Sequence, residues 1–295
     1  MVGPGLAGIL KRYTITHYAY AAPHNIALRS YIRFFCLKMK LLPSILLIAF
    51  LGLAACGGGS TTTQQQSSFQ VNQLSLDYGG FRLLYDCDLN SAIRFEYKLG
   101  TDTGNFNRPT TFNLDPNLSK NCAQQLTTNS YASMVSGWDR GHLVASNHMD
   151  YDAAYLLSAN YMTNIVPQLA SFNQGLWKET ENITECYRDL APIQVIGGVI
   201  YSDASNDFFL LSHGIKSPDY FWKTLITTNS INQIETISWL FPNQNGLANL
   251  NSFIVSIDEL ERRVGSDLVG LNLESAIKLQ KASKSWGLPK NCLLD

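Results

Sequence analysis

The chain has 295 residues, of which 45% are hydrophobic and 15% are charged, and it carries no long low-complexity tract. This is ample for one well-packed domain and marginal for two. The six basic residues before Cys56 have no acidic counterpart there, and removing them from the 22 basic residues leaves 16 against 23 acidic ones, a net charge of −7. The charge excludes a uniformly basic nucleic-acid binder, so an enzyme acting on nucleic acid would need a local basic cleft.

Residues 39–55 have the pattern of a secretory signal. A short basic start is followed by an apolar run from Leu41 to Leu53, which is too short to span a bilayer comfortably because spanning takes about 20 residues. The sequence Leu-Ala-Ala-Cys that ends at Cys56 resembles a bacterial lipobox, which predicts that this cysteine is lipidated. The alternative is a buried or membrane helix in which Cys56 is incidental.

The signal implies three further boundaries. Residues 1–38 fit no domain and are interpreted as a spurious extension ahead of a true start at Met39. Residues 56–68 are mostly Gly, Ser, Thr and Gln, which predicts a flexible tether that reaches about 20 Å. A single domain is expected over residues 69–295. We expect the protein to be exported, lipid-anchored to the bacterial outer membrane and facing the periplasm or the exterior.

The cysteines of this domain are Cys87, Cys122, Cys186 and Cys292. An exported chain reaches an oxidising compartment, where an even number of cysteines favours disulfides over free thiols. Metal binding by these residues is not expected, because no two of them are close in sequence. Four cysteines allow three pairings, and the sequence does not choose among them.

Strand and helix patterns are mixed irregularly along the domain. Residues 93–99 alternate apolar and polar side chains, which predicts a half-buried antiparallel strand, and residues 194–201 form an apolar run typical of a central strand. The other predicted elements are a loop and short strand at 131–138, strands at 225–228 and 235–240, and helices at 150–159, 173–188, 256–264 and 273–283. This mixture predicts an α+β fold, not a wound parallel sheet.

The segment Asp139-Arg140-Gly141-His142 is the most informative motif. Downstream lie the stretch from Asn164 to Gln168 and the run Asn-Gln-Gly-Leu-Trp-Lys-Glu-Thr-Glu over residues 173–181. A histidine fixed beside a turn can act as a base, and an asparagine and a glutamate eight residues apart can organise a hydrated divalent ion. A base, a metal ion and a cation are the groups needed to cut a phosphodiester.

This order of motifs resembles that of the DNA/RNA non-specific endonucleases of the ββα-metal superfamily, and the resemblance runs from about Ile93 to Leu268. It implies a ββα-metal finger inserted in a mixed, largely antiparallel sheet with flanking helices. It also implies sequence-non-specific hydrolysis of DNA, and potentially of RNA, that leaves 5′-phosphate ends. The implied cofactor is Mg²⁺, for which Mn²⁺ or another divalent ion can substitute, and a homodimer is possible by analogy.

The resemblance gives roles to three residues. His142 would be the general base, and the alternative is a structural histidine that bonds a backbone carbonyl. Asn173 would bind the metal ion directly, and the alternative is a helix N-cap. Glu181 would hold the ion through water. A continuous helix would place Asn173, Trp177 and Glu181 on one face.

Arg140 and Arg108 are the predicted cations for the substrate phosphate, since a guanidinium matches phosphate oxygens. Arg140 has an alternative role in bracing Asp139. The resemblance also implies a second phosphate-binding arginine beyond Glu181, but Glu185 occupies that place and Arg188 follows three residues later. The source of the second cation is therefore open.

The remaining motif residues are expected to support the site. Asp139, Gly141 and Asn164 would shape it, and Pro167-Gln168 would form a loop between its two halves. Trp177 is expected in the core, and His148 is interpreted as structural or substrate-facing.

Two other functions stay open. A catalytically weak surface lipoprotein that binds nucleic acid or another polyanion is favoured slightly by the acidic net charge and by Glu185. A phosphodiesterase acting on small nucleotides would spare long polymers, so cleavage of long polymers separates it from a nuclease.

Overall fold

The structure is a computed structural model, and it describes residues 72–292 and 294. A seven-stranded antiparallel sheet with the strand order β1-β2-β3-β6-β7-β8-β9 forms its centre, and β4 and β5 pair separately. The strands are β1 Gln73–Asp77, β2 Phe81–Asp86, β3 Ser91–Leu99, β4 Trp138–His142, β5 Ile165–Leu169, β6 Ile193–Ile200, β7 Tyr220–Thr228, β8 Ile234–Pro242 and β9 Ile254–Val255. The predicted α+β architecture is confirmed.

The middle of the large sheet follows from the hydrophobic patterns of its strands. In β3, Phe95, Tyr97 and Leu99 are buried at every second position, and β6 is buried along most of its length. A strand covered on both faces reads as a continuous apolar run, whereas a strand with one wet face alternates. These two strands pair with each other, and the predicted strands at 225–228 and 235–240 are the ends of a longer hairpin.

The helices pack around the sheets. They are α1 Ala153–Ala159, α2 Ala170–Phe172, α3 Lys178–Arg188, α4 Leu210–His213, α5 Ile257–Val264, α6 Ser266–Val269 and α7 Ser275–Leu279. Helix α5 begins at a capping box in which the Ser256 side chain accepts from the Glu259 backbone and the Glu259 carboxylate accepts from the Ser256 backbone. The helix predicted at 273–283 is wrong in extent, because only residues 275–279 are helical.

Two strands and a helix form the unit that carries the motifs. Strand β4 pairs antiparallel with β5, and α2 and α3 follow β5 directly, joined by a π-helical turn over Asn173–Trp177. The predicted loop at Pro167-Gln168 is therefore wrong, since both residues lie in β5. Proline is tolerated there because β4 and β5 form a two-stranded sheet in which each strand has an unpaired edge.

The helix predicted over residues 173–188 is not continuous. Gly175 has non-helical backbone angles (φ −99°, ψ −114°), and regular α-helix begins only at Lys178. A π-helical turn holds more residues than an α-helical turn, so the simple spacing argument for Asn173, Trp177 and Glu181 does not hold. Asn173 and Glu181 still face one cleft, while Trp177 is fully buried in the core, as predicted.

Disulfides join Cys87 to Cys122 and Cys186 to Cys292. The prediction of disulfides is confirmed, and the structure selects one of the three pairings. The second bond attaches the end of the described chain to α3, the helix that carries Glu181. No helix within the described residues is long and apolar enough to cross a membrane. The predicted signal, the lipidated Cys56 and the tether lie outside the described residues.

Candidate active site

A cleft of about 460 Å³ opens beside the end of β4 and the start of α3. Residues from both sequence motifs line it, together with residues from the loop that precedes β4. The lining residues that carry charge, or that the motifs include, are Arg108, Arg140, His142, Asp150, Asn173, Gln174, Lys178 and Glu181. Three of these side chains are basic and two are acidic, so basic groups gather here on a domain whose net charge is acidic.

His142 is the last residue of β4, and only 8% of its surface is exposed. Its Nε2 lies 3.2 Å from Oδ1 of Asn160 and 3.1 Å from Oγ of Ser146. The Asn160 Nδ2 donates to the Leu156 carbonyl, so the Asn160 oxygen must face the imidazole. Nε2 therefore carries the proton and donates it to Asn160, and the lone pair of the neutral ring lies on Nδ1.

The surroundings of His142 keep its imidazole uncharged. Burial lowers the pKa of His142 to about 3, and the positive charge of Arg108 acts in the same direction. The hydrogen bond to Asn160 opposes this shift and is outweighed. An uncharged imidazole can accept a proton, as a general base must. The alternative of a structural histidine bonded through its ring to a backbone carbonyl does not match these contacts.

Two aromatic side chains also contact His142 and fix its position. The indole N–H of Trp177 donates to the His142 carbonyl at 3.2 Å, which ties the end of β4 to the π-helical turn. The Phe112 ring lies 5.4 Å from the imidazole, measured between centroids. The Arg140 guanidinium also stacks on Phe112, with its Cζ atom 3.9 Å from the centroid of the ring. One aromatic ring therefore contacts both motif residues.

Asn173 is held in one orientation by Asp139. The Asn173 Nδ2 donates to Oδ2 of Asp139 at 2.9 Å, and Gln174 donates to the same oxygen at 2.8 Å. With its nitrogen committed to Asp139, the Asn173 amide leaves Oδ1 as the available ligand atom. The backbone of Asn173 is helical, and its side chain caps no helix, so the N-cap alternative is not seen.

Glu181 lies one turn into α3 and lines the same cleft. Burial raises the pKa of its carboxyl above the ordinary value, while the positive charge of Lys223 opposes the rise. Lys223 is fully buried, donates to Oγ1 of Thr180 at 2.9 Å and lies 3.7 Å from the centroid of the Trp177 ring. Burial lowers the pKa of Lys223 to about 8, and Glu181 opposes that shift.

The donor set fits a hydrated Mg²⁺ ion. The cleft presents an amide oxygen on Asn173 and a carboxylate on Glu181, and both are the hard oxygen donors that Mg²⁺ prefers. No group of three His, Cys, Asp or Glu side chains gathers as a metal site anywhere in residues 72–292. Mg²⁺ commonly keeps several water ligands and takes few protein groups, so a site of this kind does not require such a cluster.

The two predicted arginines both reach the cleft. Arg140 donates to the Thr128 carbonyl at 2.8 Å and stacks on Phe112, so it does not brace Asp139. Arg108 is exposed on the loop before β4. That loop is anchored where the Phe106 amide donates to the Asp150 carbonyl at 3.0 Å, which places the guanidinium close enough to lower the pKa of His142.

Gly141 and Asn164 position the backbone of the site. A Cβ atom at Gly141 would collide with the Gln168 side chain on β5, so only glycine lets the two strands pair here. Asn164 accepts from the Val144 amide and donates to the carbonyls of Val144 and Ala159. It thereby ties the segment after His142 to the end of α1.

Comparison with known proteins places this geometry in a family. A family model described as DNA/RNA non-specific endonuclease matches residues 58–277, which is most of the chain. The chain belongs to the DNA/RNA non-specific endonuclease family. This confirms the resemblance that the motifs indicated.

Curated relatives from bacteria and animals match the chain. It is 26% identical over 223 residues to a protein named Nuclease from Serratia marcescens, covering 71% of this chain and 81% of the relative. It is 27% identical over 144 residues to mitochondrial endonuclease G from Bos taurus, covering 44% of this chain and 47% of the relative. The match therefore spans about half the length of the mammalian relative and most of the bacterial one.

A solved structure shares the fold. A chain from a crystal structure of an EndoG/EndoGI complex, titled for the mechanism of EndoG inhibition, superposes with a TM-score of 0.54 at 19% identity. The superposition covers 68% of this chain and 84% of that one. This supports the sheet and ββα arrangement described above.

Glu185 stands where the resemblance implies a second phosphate-binding arginine. Glu185 lies within 3.2 Å of Arg188, and the Arg188 guanidinium also donates to the Gly100 carbonyl at 2.9 Å. Burial raises the pKa of Glu185 to about 7, while Arg188 opposes the rise. Only 2% of Arg188 is exposed and it does not line the cleft, so it cannot replace the missing arginine.

Several residues of the site carried no readable signal in the sequence. Asn160 and Ser146 contact His142 but lie in no motif with a recognised spacing. Phe112 lies in a weaker match to the family pattern at residues 108–112, and no role was predicted for it. Lys223 lies in another weaker match to the family pattern, at residues 221–223, and no role was predicted for it either. A lysine is almost never fully buried without a partner. The position of Lys223 within an otherwise buried strand therefore indicates that it pairs with another group. His148 is structural, with its ring between the Tyr97 hydroxyl and the Glu181 carbonyl.

Proposed function

We propose that this protein is a divalent-metal-dependent, sequence-non-specific endonuclease that hydrolyses phosphodiester bonds of DNA, with RNA as a further substrate. Family membership supports the reaction class. The observation that carries the proposal is the meeting of a neutral His142 and an Asn173 oxygen in one cleft with Arg108 and Arg140. A polyanion-binding protein would not need a buried base there.

His142 would act as the general base. Its Nε2–H is committed to Asn160, so Nδ1 takes the proton from a water molecule as that water attacks phosphorus. The new bond joins the water oxygen to phosphorus, and the bond to the 3′ oxygen breaks. The phosphate then stays on the 5′ end, the departing 3′ oxygen takes a proton from solvent water, and His142 returns its proton to solvent.

Asn173 and Glu181 would hold the metal ion, Asn173 directly and Glu181 through water. A bound Mg²⁺ supplies electrostatic stabilisation of the negative charge that develops at the phosphate. Asp139 serves by fixing the Asn173 amide so that its oxygen is the ligand atom. The charge of Lys223 below the site favours the ionised form of Glu181.

Arg108 and Arg140 would bind the phosphate that is cut. Arg140 is stacked and hydrogen-bonded, so it offers a fixed cation. Arg108 is exposed on a loop and lines the same cleft, where it offers a second cation. Guanidinium groups match phosphate oxygens in geometry, and their attraction to phosphate is stronger in a cleft that excludes part of the water.

The location we propose rests mainly on the sequence. The signal at 39–55 and the lipobox that ends at Cys56 support an exported protein whose lipid anchor holds the domain at the bacterial outer membrane. The two disulfides support an oxidising compartment. Radiolabelled palmitate should label the full chain and should not label the Cys56→Ser variant; equal labelling of both would contradict the anchor.

Digestion of a supercoiled plasmid by the purified full-length protein tests the activity. We expect nicking and then smearing that require Mg²⁺, stop with EDTA and are lost in His142→Ala and Asn173→Ala variants that unfold at the wild-type temperature. Intact plasmid across divalent ions and salt concentrations would overturn the proposal. Turnover of a small nucleotide diester alone would then indicate a phosphodiesterase, and retention of DNA without cleavage would indicate a polyanion binder.

A further inference from the structure

Three basic side chains line the cleft, and the proposed function uses only two of them. Arg140 lies on β4 and Arg108 on the loop before it, so both approach from the His142 side. Lys178 is the third, and it is the first residue of α3. It therefore brings positive charge to the cleft from the side that carries Asn173 and Glu181.

Lys178 is free to bind a ligand. Its side chain is exposed, and among residues 72–292 it makes no ion pair within 4 Å. Lys178 precedes Glu181 by three residues on one helix, so the two side chains are neighbours on its surface. The Lys178 charge is near enough to lower the pKa of the Glu181 carboxyl.

Arg188 is the other basic residue of α3, and its guanidinium is already paired within the protein. Arg188 is buried and bonded to Gly100, Glu185 and Asp102. Glu185 is turned toward Arg188 and His148 and does not line the cleft. On this wall of the cleft, within the described chain, the accessible positive charge is Lys178.

We propose that Lys178 binds a backbone phosphate of the substrate on the α3 side of the cleft, beside the phosphodiester that is cut. This inference rests on the proposed nuclease function. A lysine ammonium is a hydrated point charge and does not grip phosphate in two places as arginine does. Lys178 thus holds the strand in register by charge, and it contributes to binding more than to the chemical step.

The test compares Lys178→Gln with Lys120→Gln, which removes the same charge from an exposed lysine outside the cleft. Each substitution is placed in a His142→Ala background, so that a short DNA duplex is bound and not cut, and affinity is measured across salt concentrations. A phosphate contact releases counterions, and losing one lowers the slope of log affinity against log salt by roughly 0.9. We expect that drop for Lys178→Gln, no drop for Lys120→Gln, and recovery in Lys178→Arg.

Steady-state cleavage provides the second readout. In the active protein, Lys178→Gln should raise KM about tenfold and change kcat by less than about twofold. The reason is that the lost contact stabilises the bound substrate and the transition state equally. An unchanged salt slope and KM in Lys178→Gln, in a wild-type protein that cleaves DNA, would overturn this inference alone. Absence of cleavage by the wild-type protein would instead overturn the proposed function on which the inference rests.

Discussion

The amide nitrogen of Asn173 donates to a carboxylate oxygen of Asp139 at 2.9 Å. This bond joins the first residue of the Asp-Arg-Gly-His segment to the first residue of the helical motif, 34 residues later. The two motifs are therefore one structural unit. Partners of metal ligands commonly set ligand orientation, and their loss costs about 10–100-fold in metal affinity or activity.

Replacing Asp139 tests that relationship. Asp139→Asn keeps the shape but can present an N–H to Asn173, so the Asn173 amide is no longer held with its oxygen toward the cleft. We expect the Mg²⁺ concentration for half-maximal cleavage to rise about 10–100-fold. Asp267→Asn, an exposed change on α6, is the control. A normal Mg²⁺ requirement in Asp139→Asn would show that Asp139 does not orient the ligand.

The protonation of His142 can be observed directly. Burial and the Arg108 charge lower the pKa of His142 to about 3, so its ring should stay uncharged as the pH falls from 8 to 5. Imidazole NMR signals should show no titration of His142 in this range, with assignment from His142→Gln. A midpoint near 6.5, the value of an ordinary histidine, would contradict the structure. Because the folded pKa is depressed, His142 by itself makes folding less favourable as pH falls below about 6.5.

Asn160 is expected to matter for the chemical step. In Asn160→Ala, Nε2 of His142 loses the acceptor that selects its tautomer, so part of the population carries the proton on Nδ1 and cannot act as base. We expect kcat to fall about tenfold to a hundredfold while KM changes little. Single-turnover cleavage measures this, with the exposed Asn121→Ala as control. An unaltered single-turnover rate would remove Asn160 from the mechanism.

The buried Lys223 and the half-buried Glu181 should be energetically coupled. Lys223→Met removes the cation that favours the ionised form of Glu181. Glu181→Gln removes the negative charge that favours the protonated form of Lys223. Each single change should lower the free energy of unfolding, and the double variant should lose less than the sum by about 0.5–3 kcal/mol. Urea denaturation of the four proteins at pH 7 gives this coupling. Strict additivity would mean that Lys223 acts only through Thr180 and Trp177.

Sequence patterns were sufficient where a single physical preference decides the structure. The alternation at 93–99 indicates burial on one face of a strand, and the apolar run at 194–201 indicates burial on both faces. Both segments form strands of the large sheet. The helix predicted over 256–264 is also present, and it begins at Ile257 directly after the Ser256 cap. The family motifs placed His142 and Asn173 in one cleft because their spacing belongs to one ββα unit.

Patterns failed where a contact distant in sequence overrides local preference. Pro167 favours a loop, yet β5 forms because β4 offers pairing partners to the residues around it. The helix over 173–188 is interrupted at Gly175, which a periodicity of apolar residues does not reveal. Asn160 contacts His142 across 18 residues, and no local rule relates an asparagine at the end of a helix to a base on a strand.

The two disulfides enclose stretches of chain of very different length. Cys122 is made 35 residues after Cys87, whereas Cys292 is made 106 residues after Cys186. Strands β6 to β9 are all translated between the two cysteines of the second bond. The bond that clamps the helix carrying Lys178 and Glu181 can thus form only in a chain that already includes these four strands. The native bond between Cys186 and Cys292 therefore encloses more than half of the large sheet in one covalent loop.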